Sequence, residues 1–365
     1  MALGQGAVEK LEVSRAFWRG KRVFLTGHTG FKGGWLSLWL QALGAEVTGY
    51  ALKPPTRPSL FVLAGLARSM KSVTGDVRDL PRLKAALRRA RPQIVIHMAA
   101  QSLVRASYAD PVGTYSTNVM GTVNLLEGVR DATSASVVLI VTSDKCYENR
   151  EQRTGYREDA PMGGHDPYAS SKACTELVTA AYRRSFFAGA RVGVASVRAG
   201  NVIGGGDWSK DRLVPDALHA FAAGRALRVR NPDAVRPWQH VLDPLHGYLT
   251  LAERLWADPA AFSGAWNFGP ANGGHRPVKW LVSGLVRRWG AGAAWKVDRS
   301  PRPHEAGLLT LDCSKARSKL GWRPRLGLET ALDWVVEWHR RLADGEPARD
   351  ISAQQIARFQ ARAAR

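Results

Sequence analysis

Arg22-Val23-Phe24-Leu25-Thr26-Gly27-His28-Thr29-Gly30-Phe31-Lys32-Gly33 decides the fold of this 365-residue chain. A short run of buried-strand character enters three glycines spaced G-x-x-G-x-x-G. An apolar helix follows from Gly33 to Leu43, carrying Trp35, Leu36, Leu38, Trp39 and Leu40. Strand, glycine turn and helix in direct succession open a dinucleotide-binding βαβ unit. In that reading Gly27 permits the turn, Gly30 lets backbone amides approach a pyrophosphate, and Gly33 lets the helix pack closely on the strand. Thr29, Phe31 and Lys32 ride in the same cofactor-binding loop. The glycines alone are equally an ordinary tight turn; their place between strand and helix favours the cofactor.

Further strands are expected at Glu46 to Tyr50, Lys71 to Thr74, Gln93 to His97, Ser136 to Thr142 and Val192 to Val197. Apolar runs without polar alternation suit parallel strands covered on both faces, so the fold class is α/β, a doubly wound parallel (Rossmann) sheet. After about Asn201, glycine, proline and tryptophan become frequent and the alternation fades, as in a smaller C-terminal substrate-binding domain. The expected division is a dinucleotide-binding domain over 16–200, to which some later segments return, and a substrate-binding domain over 201–345. Leu328 to Arg341 reads as an amphipathic helix, and 346–365 as a peripheral polar tail.

The ends of these strands carry the other cofactor candidates. The acidic residue expected after the second strand is missing; Tyr50-Ala51-Leu52-Lys53 stands there, with Arg57 close by. Those cations suit a 2′-phosphate, which keeps NADP open beside NAD. Asp76, followed by Val77, is placed either to meet an adenine amino group or to cap a helix. Ala99 and Ala100 lie where backbone passes the nicotinamide half, and Gln101 beside them is a candidate substrate ligand. Asn118 falls on an apolar helix, either satisfied by local backbone or turned toward the site.

About 140 residues beyond the glycine turn comes Tyr168-Ala169-Ser170-Ser171-Lys172. A Tyr and a Lys four apart share one helix face. The ammonium is expected to lower the pKa of the phenol, which then takes a proton from a substrate hydroxyl. The fifth strand ends in Thr142-Ser143-Asp144-Lys145, where doubly wound sheets place their sites. An acid and a base beside a hydroxyl point to chemistry beyond one hydride transfer.

Composition sets bounds. Apolar content of 45% and charged content of 23% are ordinary for a globular protein. No stretch approaches the roughly 20 apolar residues of a membrane span. The N-terminus has no apolar core of an export signal, so a cytoplasmic location is expected. Three scattered cysteines (Cys146, Cys174, Cys313) make neither a disulfide framework nor a metal site. The net charge of +21 comes from 13 Lys and 39 Arg spread along the chain against 31 acidic residues, without a nucleic-acid-binding motif, so no nucleic-acid partner is expected.

Beyond these, the stretches PPTRPSLF (54–61), HMAAQSLVR (97–105), TSDKCYEN (142–149), DPYASSKACTE (166–176), RAGNVIGGGDW (198–208), RPWQHVLD (236–243) and PRPHEAGL (301–308) resemble the extended short-chain dehydrogenase/reductases. Within that superfamily, TSDKCYEN and RAGNVIGGGDW resemble the CDP-glucose 4,6-dehydratase branch. The resemblance implies tightly bound, recycled NAD and the substrate CDP-glucose. It implies catalysis by Ser143, Asp144, Lys145, Tyr168 and Lys172, a nucleotide held by Asn201, Arg212, Arg236 and His304, and a homodimer through helices at about 103–130 and 168–188. Lys145 stands where the dTDP-glucose branch has its glutamate base. The alternative is another NAD(P)-dependent dehydratase or a 4-epimerase acting on dTDP-glucose, GDP-mannose or a UDP-sugar.

Overall fold

Successive residues of a strand point to opposite faces, so a strand apolar at every position must be covered on both sides. The computed structural model, which describes residues 12–132, 134–189, 191–270, 273–300 and 306–362, has this arrangement. Its strands are β1 (Arg22–Thr26), β2 (Glu46–Ala51), β3 (Lys71–Thr74), β4 (Ile94–His97), β5 (Val137–Val141) and β6 (Gly193–Ala199), then β7 (Asn201–Ile203), β8 (Leu227–Val229), β9 (Val235–His240), β10 (Gly264–Phe268), β11 (His275–Pro277) and β12 (Trp295–Val297). Val23, Leu25, Ile94, Ile96 and Leu139 enter one buried cluster, while Phe24, Val95, Val138 and Ile140 enter another on the opposite face.

Among the described residues seven strands form one sheet, ordered β10-β6-β5-β4-β1-β2-β3, with every pairing parallel. Chain order reverses between β1 and β4, and the crevice beyond their C-terminal ends is the switch point where such sheets bind ligands. The strand β10 returns from the C-terminal half to pair with β6. The helix Leu242–Ala257 returns with it and packs against β5 and β6.

The remaining strands form a three-stranded sheet, β11-β9-β7, and the pair β12-β8. A separate cluster built on Val214, Leu218, Leu281, Leu285, Leu332 and Val335 holds this smaller part together. Burying each such side chain contributes roughly 1.5–3 kcal/mol.

One expectation needs correction. The segment from 346, read as a peripheral polar tail, contains the helix Ala348–Gln360, which packs on the helix Phe31–Ala42 behind the glycine turn. Ile351, Ile356 and Phe359 are buried in the main core. Ser352 and Gln355 share that face, each with a partner there: Trp338 Nε1 donates to Ser352 Oγ at 3.0 Å, and Gln355 Nε2 donates to the Trp334 carbonyl at 2.9 Å.

Candidate active site

Thr26 clamps the switch point. Its Oγ1 lies 2.7 Å from His97 Nδ1 and accepts the N–H groups of Met98 and Ala99, each at 3.1 Å. Gly27 has φ +75°, and a Cβ there would stand 2.7 Å from the Ala99 nitrogen; on Gly33 it would fall 2.2 Å from the Gly27 carbonyl oxygen. Only glycine fits at either position. Gly30 differs, since a Cβ there would meet nothing nearer than 3.5 Å. It caps the helix Phe31–Ala42 with no side-chain hydrogen bond, leaving the first amides of a twelve-residue helix for an anion. These residues fit the pyrophosphate of a dinucleotide.

Other cofactor candidates turn out to build the loop. Thr29 Oγ1 donates to the Leu52 carbonyl at 3.0 Å, tying the turn to β2. Asp76 caps no helix; that role belongs to Asp79, which accepts from Arg82 N at 3.1 Å. The Asp76 carboxylate pairs with Arg78 at 2.6 Å, and this hydrogen bond holds its pKa below the ordinary value. Val77 is buried against Gly121. Asn118 Oδ1 accepts Gln101 N at 2.8 Å, and its Nδ2 donates to the Gln101 carbonyl (3.0 Å) and to Ser171 Oγ (2.8 Å). Asn118 thus braces the loop after β4 against the helix Pro167–Ser185.

Gln101, expected at the substrate, is spent on the same loop. Its Nε2 donates to the Leu103 carbonyl and to Thr114 Oγ1, and its Oε1 accepts Leu103 N at 2.6 Å. Its neighbours Ala100 and Ser102 line the cavity instead.

That cavity, of about 330 Å³, lies between the sheet's C-terminal edge and the smaller part. Ser143, Asp144, Lys145, Tyr168 and Lys172 all line it. Asp144 is buried, its Oδ1 accepts from Ser143 Oγ at 3.0 Å, and its Oδ2 has no partner among the described residues. Burial raises its pKa above the ordinary value, against Lys145, Ser143, Arg236 and Lys32. The group is thereby biased toward the neutral form that can donate a proton.

The Tyr–Lys expectation is corrected in detail. Lys172 Nζ donates to the Val141 carbonyl at 3.1 Å, and burial lowers its pKa to about 8. The Tyr168 phenol, buried beside Ser143, is pushed up to about 12 by its desolvation. The Ser143 hydroxyl and Arg212 pull it back, while Asp144 opposes them. From protein groups alone, desolvation outweighs the nearby charges. The side chain of Lys32, expected at the cofactor, also lines this cavity, with its pKa lowered to about 7 by burial, Arg212 and Lys172.

At the substrate end, Asn201 begins β7 and pairs in register with Trp238 of β9. Arg236, also on β9, is buried and donates to the carbonyls of Val235, Ala306 and Gly307. Arg212 donates to Asp207 Oδ2 at 3.0 Å and to Ser102 Oγ at 2.9 Å. All three residues line the cavity; His304 lies outside the described residues. Sequence reasoning missed Arg105 and Arg230, which line the cavity and pair with Asp211 at 3.0 and 3.7 Å.

It also missed a buried network behind β5. Glu176 accepts from Arg198 (2.7 Å), Ser196 (2.6 Å) and Thr142 (2.5 Å), and Arg198 reaches on to the Tyr147 hydroxyl at 2.7 Å. Tyr168, Lys172 and Glu176 are four apart, one stripe of one helix, so the spacing alone pointed to Glu176. This network holds the strand end that carries Ser143 and Asp144. Glu176→Ala leaves the Arg198 charge buried and unpaired, and is expected to cost about 3–5 kcal/mol in urea unfolding.

A family model described as GDP-mannose 4,6 dehydratase matches residues 24–265. The chain is 53% identical to a CDP-glucose 4,6-dehydratase of Salmonella typhimurium over 95% of its own length and 98% of that protein's. Among solved structures it resembles a dTDP-glucose 4,6-dehydratase from Streptomyces venezuelae with NAD bound (TM-score 0.75, 26% identity, 89% of this chain and 98% of that one). It also resembles a UDP-glucose 4-epimerase of Thermus thermophilus in complex with NAD (TM-score 0.76, 24% identity, 87% and 99%). With a glycine cradle for a dinucleotide and a buried acid beside a phenol, the chain belongs to the GDP-mannose 4,6-dehydratase family, nucleotide-sugar enzymes on the extended short-chain dehydrogenase/reductase fold.

Proposed function

We propose that the protein converts CDP-glucose to CDP-4-dehydro-6-deoxyglucose and water. The observation that carries this reading is Asp144: sealed from solvent, biased toward its protonated form, and with one oxygen unpartnered beside Ser143 and Tyr168. Moving a hydride at C4 alone, as a 4-epimerase does, has no use for such an acid. Expelling a 6-hydroxyl does. The 53% identity to a CDP-glucose 4,6-dehydratase supports CDP as the nucleotide.

Gly27, Gly30 and Gly33 would hold NAD, which when bound would supply the acceptor for the C4 hydride and the donor for its return at C6. Tyr168 takes the proton of the 4-hydroxyl as the phenolate, a form that the positive charge of a bound nicotinamide would favour against the desolvation that raises its pKa, and Ser143 hydrogen-bonds the same oxygen. The new ketone acidifies the C5 hydrogen. Lys145, lining the cavity beside Asp144, is the base that removes it. The C5–H electron pair becomes the C5=C6 bond, the C6–O bond breaks, and the proton of Asp144 converts the leaving hydroxide to water; when the hydride is added at C6, the proton held by Lys145 returns to C5 and completes the 4-keto-6-deoxy sugar. Arg236 and Arg212 supply guanidinium donors for the diphosphate, with Asn201 beside them. NAD is preferred to NADP because the similar dehydratase and epimerase structures hold NAD, and Lys53 and Arg57 are exposed beyond the end of β2.

A homodimer belongs to the same reading. The helices around 104–120 and 167–185 expose Val112 (78%), Met120 (51%) and Leu177 (60%), apolar side chains of the kind a subunit contact covers. Incubation with CDP-glucose, dTDP-glucose, UDP-glucose and GDP-mannose tests the substrate. A 4-keto sugar, seen as alkali-induced absorbance, is expected from CDP-glucose. Turnover of GDP-mannose or dTDP-glucose with none of CDP-glucose overturns the assignment.

A further inference from the structure

Tyr248 has no part in the chemistry above. It lies on the helix Leu242–Ala257, fully buried, its ring edge-on to Phe268 at 5.6 Å. A phenylalanine would fill that core position without a polar atom. Instead a hydroxyl stands there with no hydrogen-bond partner among the described residues. An unmatched group of this kind costs about 1–3 kcal/mol.

Two other polar groups share its neighbourhood. Asp144 Oδ2 is likewise sealed and unpartnered, since Ser143 holds only Oδ1. Lys32 Nζ leaves the glycine turn and lies 5.9 Å from the centroid of the Tyr248 ring. Lys32 reaches the Tyr248 ring, while Asp144 acts on Lys32 through its charge, and Tyr168 and then Asp144 act in the same way on Tyr248. Lys32 and Asp144 line the cavity, and Tyr248 stands on a third element next to Lys32. Lys145 and Arg236 also face Asp144, and Arg212 and Lys172 face Lys32.

We propose that Tyr248, Lys32 and Asp144 form the pocket that receives the water eliminated from the sugar, an inference that rests on the dehydratase reading above. A buried water needs two to four polar partners, and these groups offer three. During elimination the C6–O bond breaks with its electron pair on oxygen, and the Asp144 proton completes a water molecule. That water accepts from the Tyr248 O–H and a Lys32 N–H and donates to the new Asp144 carboxylate, so every group is matched. Drawing it away from C6 clears the carbon that is reduced next. Tyr248 is thus a positioning residue, acting through the water.

Tyr248→Phe keeps the ring and removes only the hydroxyl. C4 oxidation and the KM for CDP-glucose are expected to stay within about twofold of wild type. Elimination should slow by about tenfold, the worth of one neutral hydrogen bond. Reduced nicotinamide should then accumulate after mixing, and Lys32→Met should produce the same accumulation. In a high-resolution crystal structure of the wild type, an ordered water should bridge Tyr248 Oη and Asp144 Oδ2, and it should be lost in Tyr248→Phe. Wild-type kinetics in Tyr248→Phe, or a site without that water, overturns the proposal. If the wild type makes no 4-keto sugar from CDP-glucose, the dehydratase reading fails instead, and the crystallographic water separates the two failures.

Discussion

Asp144→Asn is expected to abolish turnover while leaving oxidation at C4 intact, so that CDP-glucose drives the bound cofactor into its reduced form and holds it there. The substitution keeps the shape and the hydrogen bond to Ser143 but removes the proton owed to the leaving hydroxyl. Loss of a positioned general acid lowers the rate by about 10²–10⁴-fold. Stopped-flow absorbance of reduced nicotinamide reads the block, because wild type returns the hydride and the variant does not. Full product formation without reduced cofactor would assign the acid elsewhere. The wild-type pH profile carries the same information. Because burial raises the Asp144 pKa, its proton persists above the ordinary carboxyl range, and elimination should fall only on the alkaline side of that shifted value.

Tyr168→Phe is expected to fail one step earlier. The phenyl ring still fills its buried place at the start of the helix Pro167–Ser185, so CDP-glucose and NAD should bind as before. The acceptor for the 4-hydroxyl proton is gone, and turnover should drop by at least about 100-fold with no reduced cofactor formed. The pair of variants is diagnostic because the signals are opposite: reduced cofactor accumulates without Asp144 acting as acid and never forms without the phenol. Calorimetric binding of CDP-glucose separates this outcome from misfolding. Near-wild-type turnover by Tyr168→Phe would remove the mechanism.

Six of the seven parallel strands were legible: β1, β4 and β5 through apolar runs that carry the signature of two-sided burial, and β2, β6 and the exposed edge strand β3 through their places in the strand–helix alternation. The seventh, β10, was not. Gly264-Ala265-Trp266-Asn267-Phe268 sits among glycines and prolines, and its core Asn267 is acceptable only because its side chain meets the Tyr147 hydroxyl and the carbonyls of Tyr156 and Asp312. None of these partners is near in sequence. The helix Ala348–Gln360 was hidden for the same reason, since Ser352 and Gln355 interrupt an apolar stripe and their tryptophan partners lie in the preceding helix.

The site divides along a similar line. Residue types at the end of β5 located Ser143, Asp144 and Lys145, and the four-residue Tyr–Lys spacing on a helix located Tyr168 and Lys172; the fold brings all five to one cavity. Hydrogen-bond direction could not be read from spacing. Gln101, Asn118 and Thr29 are polar residues in the right places whose side chains are spent on holding loops. The sign of the Tyr168 shift was also out of reach, because it depends on how deeply the phenol is buried.

The central claim is that one hydride leaves C4 and reaches C6 of the same sugar within one turnover. CDP-glucose carrying deuterium at C4 tests this directly, by NMR or mass spectrometry of the isolated product. The account predicts a 4-keto sugar with the deuterium in its C6 methyl group and no net change in cofactor. Deuterium found back at C4, or lost to solvent with C6 still hydroxylated, would contradict it.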